Sequence, residues 1–210
     1  MSDLQPLLGI AALNLAATMS PGPAFVLVTQ TAVSSRRDVA LAAAAGTVTA
    51  SMTWCLGALL GWQFLLVRAV ALYRFLHIAG GCYLGYIGVM MWLHARDPLP
   101  ELDRQSLTRG AAWRKALFLG LSNPKVIVFF GTVFTALFTP QTPAAIRWAS
   151  PLIVLFNECV WYSLVATLFG TAPVQRIYRR LKAGAERVFG SFLLLFSARL
   201  VFSGIVRSGV

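Results

Sequence analysis

Ser20-Pro21-Gly22-Pro23 and Ser122-Asn123-Pro124-Lys125 decide how this chain folds. The first lies inside an uncharged stretch from Leu4 to Ser35. The second lies inside a stretch from Ala116 to Ile146 whose only charge is Lys125. Proline has no backbone N–H and clashes with the carbonyl four residues back, so a helix kinks or breaks there. In hydrocarbon, irregular backbone persists only where protein or a water-filled cavity surrounds it. Two such breaks at matching places in two halves of a chain point to a binding site near the bilayer midplane.

Around these motifs the chain reads as a membrane protein. Of its 210 residues 58% are hydrophobic and 12% charged, with a mean hydropathy of +0.71. An ordinary soluble domain is about 25% charged. Charge gaps delimit six spans, roughly 5–33, 40–66, 74–94, 114–138, 148–172 and 187–207. Each has about 20 residues or more, enough to cross a ~30 Å core. The expected fold is all-α, with six transmembrane helices of which the first and fourth are broken by proline. Cys55, Cys82 and Cys159 fall within spans, with neither metal spacing nor a disulfide context, and read as packing residues. Asp3 stands where a signal peptide is basic and the first run is too long for one, so no cleaved leader is expected.

The net charge of +11 is explained by topology rather than by nucleic-acid binding. With the N-terminus outside, the inner loops hold twelve Lys and Arg: Arg36, Arg37, five from Arg96 to Lys115 and five from Arg176 to Arg187. The outer side holds four, Arg68, Arg74, Arg147 and Arg207. Basic loops stay cytoplasmic, so both termini face out and the inner loops meet anionic membrane lipid. The polar segment 95–112 is then a cytoplasmic linker between halves 1–94 and 113–210 of one transport domain. Three spans per half insert the halves with opposite orientation, giving a 3+3 inverted repeat. Small residues recur at packing distance: Ala42, Gly46 and Ala50; Gly57 and Gly61; Gly81 and Gly85. Trp92, Trp113 and Trp148 lie near span ends as interfacial anchors, and Val174–Arg187 reads as a basic interfacial helix.

Three ionisable residues fall at membrane depth. Lys125 lies ten residues past Lys115, Glu158 eleven past Arg147 and Arg199 twelve past Arg187. At about 1.5 Å per residue they sit about 15, 16 and 18 Å along their spans and can meet in one layer. A charge there costs roughly 2.5–3.5 kcal/mol, so it faces a cavity or a partner. Arg199 is also near enough to the outer end to snorkel. Asn14, Thr18 and Pro21 share one helix face approaching the first break, and Asn157 is a further polar residue within a span. A half-helix N-terminus offers free N–H groups and positive dipole character to a carboxylate. Lys125 adds charge to such a site, and Glu158 can bind an ammonium or carry a coupling proton. The alternative is an ion pair of Glu158 with Lys125 or Arg199 that only ties helices together. His77 and His94 lie near span ends and read as interfacial.

At these residues the sequence resembles the LysE/RhtB superfamily of amino-acid exporters. The resemblance rests on Asn14…Ser20-Pro21-Gly22-Pro23 and on Gly120-Leu121-Ser122-Asn123-Pro124-Lys125. Gly80-Gly81-Cys82-Tyr83-Leu84-Gly85-Tyr86-Ile87-Gly88, Glu158-Cys159-Val160-Trp161, Gly190 and Arg199-Leu200 extend it over nearly the whole chain. It implies a six-helix protein of the bacterial inner membrane that exports amino acids or close derivatives, driven by the proton gradient. It also implies sites around Pro21–Pro23 and Pro124–Lys125, and an acidic residue at the position of Glu158.

The reading is therefore a secondary exporter whose partners are a small zwitterionic solute, protons and membrane lipid, with no cofactor and no nucleic acid. A homodimer is compatible with it. No G-x-x-x-x-G-K-[S/T] pattern is present to support direct ATP drive. A membrane-embedded enzyme would need convergent catalytic groups, and the acids are sparse. A channel, or another small-solute or metal carrier without proton coupling, is the alternative. A metal carrier would need clustered ligands.

Overall fold

The chain breaks its helices at both proline motifs, as the missing N–H groups dictate. The computed structural model describes residues 5–20, 22–68, 70–97, 107–138 and 141–206, the side chains of 62–77, 135, 172 and 203–206 excepted. Pro21, Arg207, residues 98–106 of the linker and the side chains of Arg68, Arg74 and His77 lie outside the described residues. Among those described, every regular element is helical: α1 (Gln5–Met19), α2 (Pro23–Ser34), α3 (Arg37–Arg68), α4 (Val70–Leu93), α5 (Arg109–Leu121), α6 (Pro124–Leu137), α7 (Ala144–Leu168) and α8 (Ala172–Val206). Pro23 opens α2 and Pro124 opens α6. At a first helical position the lost N–H has no intrahelical acceptor anyway. The axes of α1 and α2 diverge by 56°, and so do those of α5 and α6.

Arg37–Gly61 and Ala144–Leu168 are each long and apolar enough to cross a membrane, and each bent pair, taken as one span, passes the same test. Large apolar side chains cover the outer surface, Leu8, Phe156 and Leu195 being 69%, 68% and 73% exposed. Such a surface suits lipid, where apolar groups need no burial against protein. Within α7, Pro151 leaves the Arg147 carbonyl without its usual amide, and the Ser150 hydroxyl donates to it at 2.7 Å. The basic segment Val174–Arg187, expected as an interfacial helix, is helical and continuous with the last apolar run in α8. No proline follows Pro173 to separate them.

In lipid, helices associate through close packing rather than through hydrophobic exclusion. Gly46 of α3 lies against α5 so tightly that a Cβ would stand 2.3 Å from the Trp113 carbonyl oxygen. Gly88 and Gly190 bring α4 and α8 together, each blocked at 2.9 Å by the other's carbonyl. Gly81 and Gly85 also pack on α8, against Leu200, Val201 and Ser197. Gly57 and Gly61 have no atom within 4 Å of a Cβ among the described residues, so the helix packing expected of that pair is not seen among them. Cys55 is buried in the core, whereas Cys82 and Cys159 are exposed on helix surfaces.

The helix pairings have a pattern. α3 packs on α5 and α6, while α7 packs on α1 and α2; α3 also packs on α7, and α4 on α8. Two apolar clusters result. One is built around Leu13, Leu84, Phe130, Phe134 and Leu193, the other around Phe25, Val28, Ala43, Ala116 and Val165. Phe130 of the first and Phe25 of the second line one cavity together with Asn14, Lys125 and Glu158.

Candidate functional site

The two breaks are built differently. Asn123 caps α6, its Oδ1 accepting from the Lys125 amide at 3.0 Å. At α2 the N-cap is Gly22, which has no side chain to do this. The Ala24 and Phe25 amides, in the first turn of α2, therefore lack a side-chain cap. Both residues line a cavity of about 50 Å³. Positive dipole ends of two half-helices thus meet near one space.

Lys125 reaches across to the first half of the chain. Its Nζ donates to the Ala17 carbonyl at 2.9 Å, near the end of α1. A lysine there satisfies a carbonyl that the ending helix leaves free and opposes the negative dipole end. An ammonium has three donors, so it can hold Ala17 and a solute anion together.

Glu158 of α7 stands on the wall of the same cavity. Asn14 of α1 donates from Nδ2 to Glu158 Oε1 at 3.2 Å, and Asn157 Nδ2 donates to Asn14 Oδ1 at 3.3 Å and to the Ala11 carbonyl at 3.0 Å. Ser51 of α3 also stands beside the carboxyl. Glu158 Oε2 is buried with no hydrogen-bond partner among the described residues. Buried polar atoms are rarely left so, and an unsatisfied carboxylate oxygen suits a proton, a cation or water.

Of the residues marked in the sequence, Asn14, Ser20, Gly22, Asn123, Lys125 and Glu158 come together at this cavity, and Thr18 joins them. Pro23 and Pro124 shape it by opening the helices that point at it. Arg199 does not join: it is exposed on α8, so the expected layer of three charges has two members. Counting along a helix gives depth but not the direction a side chain faces. Among the described residues no ion pair links Lys125 to Glu158, so the tie expected as the structural alternative is not made.

A second, larger cavity of about 350 Å³ shares Ser20, Gly22 and Lys125 with the first. Its lining includes two residues that the sequence placed only in a basic loop, Lys182 and Glu186. They form an ion pair at 3.3 Å with side chains 7% and 6% exposed. Lys182 Nζ also donates to the His94, Ala95 and Asp97 carbonyls at 3.0, 3.4 and 3.1 Å, closing the end of α4. Burial pushes the Glu186 carboxyl above the usual carboxylate range, and the Lys182 ammonium opposes that shift. The i,i+4 spacing of the pair was the one signal in the sequence.

The profile of the LysE type translocator family matches residues 15–204. The chain belongs to this family. It is a multi-pass membrane transporter, not an enzyme. A threonine efflux protein of Salmonella typhi is 32% identical over 198 residues, covering 92% of this chain and 96% of that protein. A threonine efflux protein of Escherichia coli K12 is 30% identical over 202 residues, 93% and 97% of the two chains. A homoserine/homoserine lactone efflux protein of Salmonella typhimurium is 28% identical over 188 residues, 87% and 89%. No solved structure matches the chain. The LysE family match runs through both helix breaks, Lys125, Glu158 and the Lys182–Glu186 pair.

Proposed function

We propose that this LysE-family chain is a secondary exporter of amino acids or close derivatives, coupled to protons, in the bacterial inner membrane. One observation carries the reading: residues of both helix breaks, Lys125 and Glu158 line a single cavity. A solute carboxylate would sit by Ser20, Gly22 and Lys125, which line both cavities at the broken start of α2. Glu158 would carry the proton. The smaller cavity favours that role: a water needs about 10–15 Å³, so the space beside Glu158 holds a few waters rather than a whole amino acid. The relatives named as threonine and homoserine efflux proteins support the solute class.

The architecture we infer is six spans in a 3+3 inverted repeat, one transport domain with halves 1–94 and 113–210. Exchanging the halves turns α1–α2 into α5–α6, α3 into α7 and α4 into α8. The packing of α3 on α5 and α6 then becomes that of α7 on α1 and α2, which supports the repeat. The basic asymmetry places both termini outside and the linker in the cytoplasm. In a variant lacking the three native cysteines, Gln105→Cys should react with an impermeant thiol reagent only from the cytoplasmic face and Thr142→Cys only from the outer face. Labelling of the Gln105→Cys variant in intact cells would reject this topology.

Export itself is tested in cells overloaded with single amino acids or dipeptides. Expression of the chain should raise tolerance to L-threonine or L-homoserine and speed their loss from the cells. No relief and no efflux for any amino acid would overturn the exporter reading.

A further inference from the structure

The larger cavity is lined by charges of both signs, and the assignments above use only Lys125. Lys125 stands where the two cavities meet, beside Ser20 and Gly22. The same lining carries two acids, Glu186 of α8 and Asp97 beyond the end of α4, together with Lys182. Lys182 is paired with Glu186 but is shared with other acceptors. Its single ammonium serves three backbone carbonyls at 3.0–3.4 Å as well as Glu186 Oε1. A buried carboxylate needs more than one such contact to be satisfied.

Size points the same way. The cavity measures about 350 Å³, some sevenfold more than the space beside Glu158. By the measure in which a water needs about 10–15 Å³, it has room for a whole amino acid with its hydration. Its electrostatics suit a zwitterion, which replaces one long-range attraction across the cavity by two short charge-assisted contacts.

We propose that the larger cavity is the loading site for an α-amino acid, with the solute ammonium on Glu186 and its carboxylate on Lys125. The assignment rests on the exporter reading and divides the work of the two buried carboxylates: Glu186 takes solute and Glu158 takes the proton. Lys182 acts as a positioning residue that holds Glu186 against the end of α4.

The test is counterflow of radiolabelled L-threonine into proteoliposomes containing the full chain. Glu186→Gln keeps the side-chain shape and removes the charge. Its half-saturation concentration should rise about tenfold or more, as loss of a charge-assisted contact implies, while the rate at saturating solute stays within about threefold of the unaltered protein. Glu186→Asp should recover most of the affinity. A competitor with a hydroxyl in place of the ammonium, 2,3-dihydroxybutanoate, isolates the contact. It should compete at least about tenfold more weakly than threonine in the unaltered protein, and about equally in Glu186→Gln. Thermal unfolding of each variant, with Lys182→Met alongside, reports the purely structural role of the pair. Unchanged half-saturation in a folded Glu186→Gln protein overturns the assignment. So does equal competition by the two compounds in the unaltered protein, which needs no variant to fold. Absence of counterflow for every α-amino acid in the unaltered protein overturns the exporter reading and this site with it.

Discussion

Glu158→Gln should abolish efflux driven by a pH gradient, lowering its rate about a hundredfold or more, the scale of losing an essential proton-transfer group. Counterflow of labelled solute, which needs no net proton movement, should survive at least in part. The substitution is conservative where it must be. A glutamine oxygen still accepts from Asn14 Nδ2, which stands 3.2 Å from Glu158 Oε1. What it removes is the ability to take up and release a proton at the oxygen that has no partner among the described residues. Both transport modes are measured on the same proteoliposomes, with and without an imposed gradient. Unchanged gradient-driven efflux would return Glu158 to a structural role as the acceptor that ties α7 to α1. Coupling would then belong to the solute or to Lys125.

Lys125→Met should weaken binding of solutes that carry a carboxylate and spare those that lack one. A hydrogen bond to a charged group contributes about 1.5–3 kcal/mol, so the half-saturation concentration for L-threonine should rise about tenfold to a hundredfold. L-threonine methyl ester keeps the ammonium and loses the carboxylate charge; its competition should change little. The distinction matters because Lys125 also has a structural contact, the 2.9 Å hydrogen bond to the Ala17 carbonyl. Loss of that contact alone would misplace α1 against α6 and impair both compounds equally. Equal impairment of acid and ester would therefore assign Lys125 to the scaffold.

Local rules were legible in the sequence. Proline acts within its own turn, so the ends of α1 and α5 and the starts of α2 and α6 follow from Pro23 and Pro124. Asn123 is a residue type that caps helices, and it caps α6. Membrane character followed from the charge gaps, and the family from the two motifs together. Val174–Arg187 is helical as expected and runs on into the last apolar stretch, because nothing in it stops a helix once it has begun.

What the sequence alone determined is thus the all-helical membrane class, the two breaks and the residues that belong beside them, because each depends on backbone chemistry over a few residues or on composition over a span. The tertiary structure decided which way side chains face. Lys125 and Arg199 sit at similar depths by counting, yet one lines the cavity and the other is exposed on α8. Glu158 meets Asn14 from 144 residues away. Lys182 and Glu186 read as part of a solvated basic stretch until α8 turns them onto the end of α4. Rotation of a helix about its axis is set by its neighbours through contacts such as Gly88 against Gly190, and a linear sequence carries depth along an axis but not that angle.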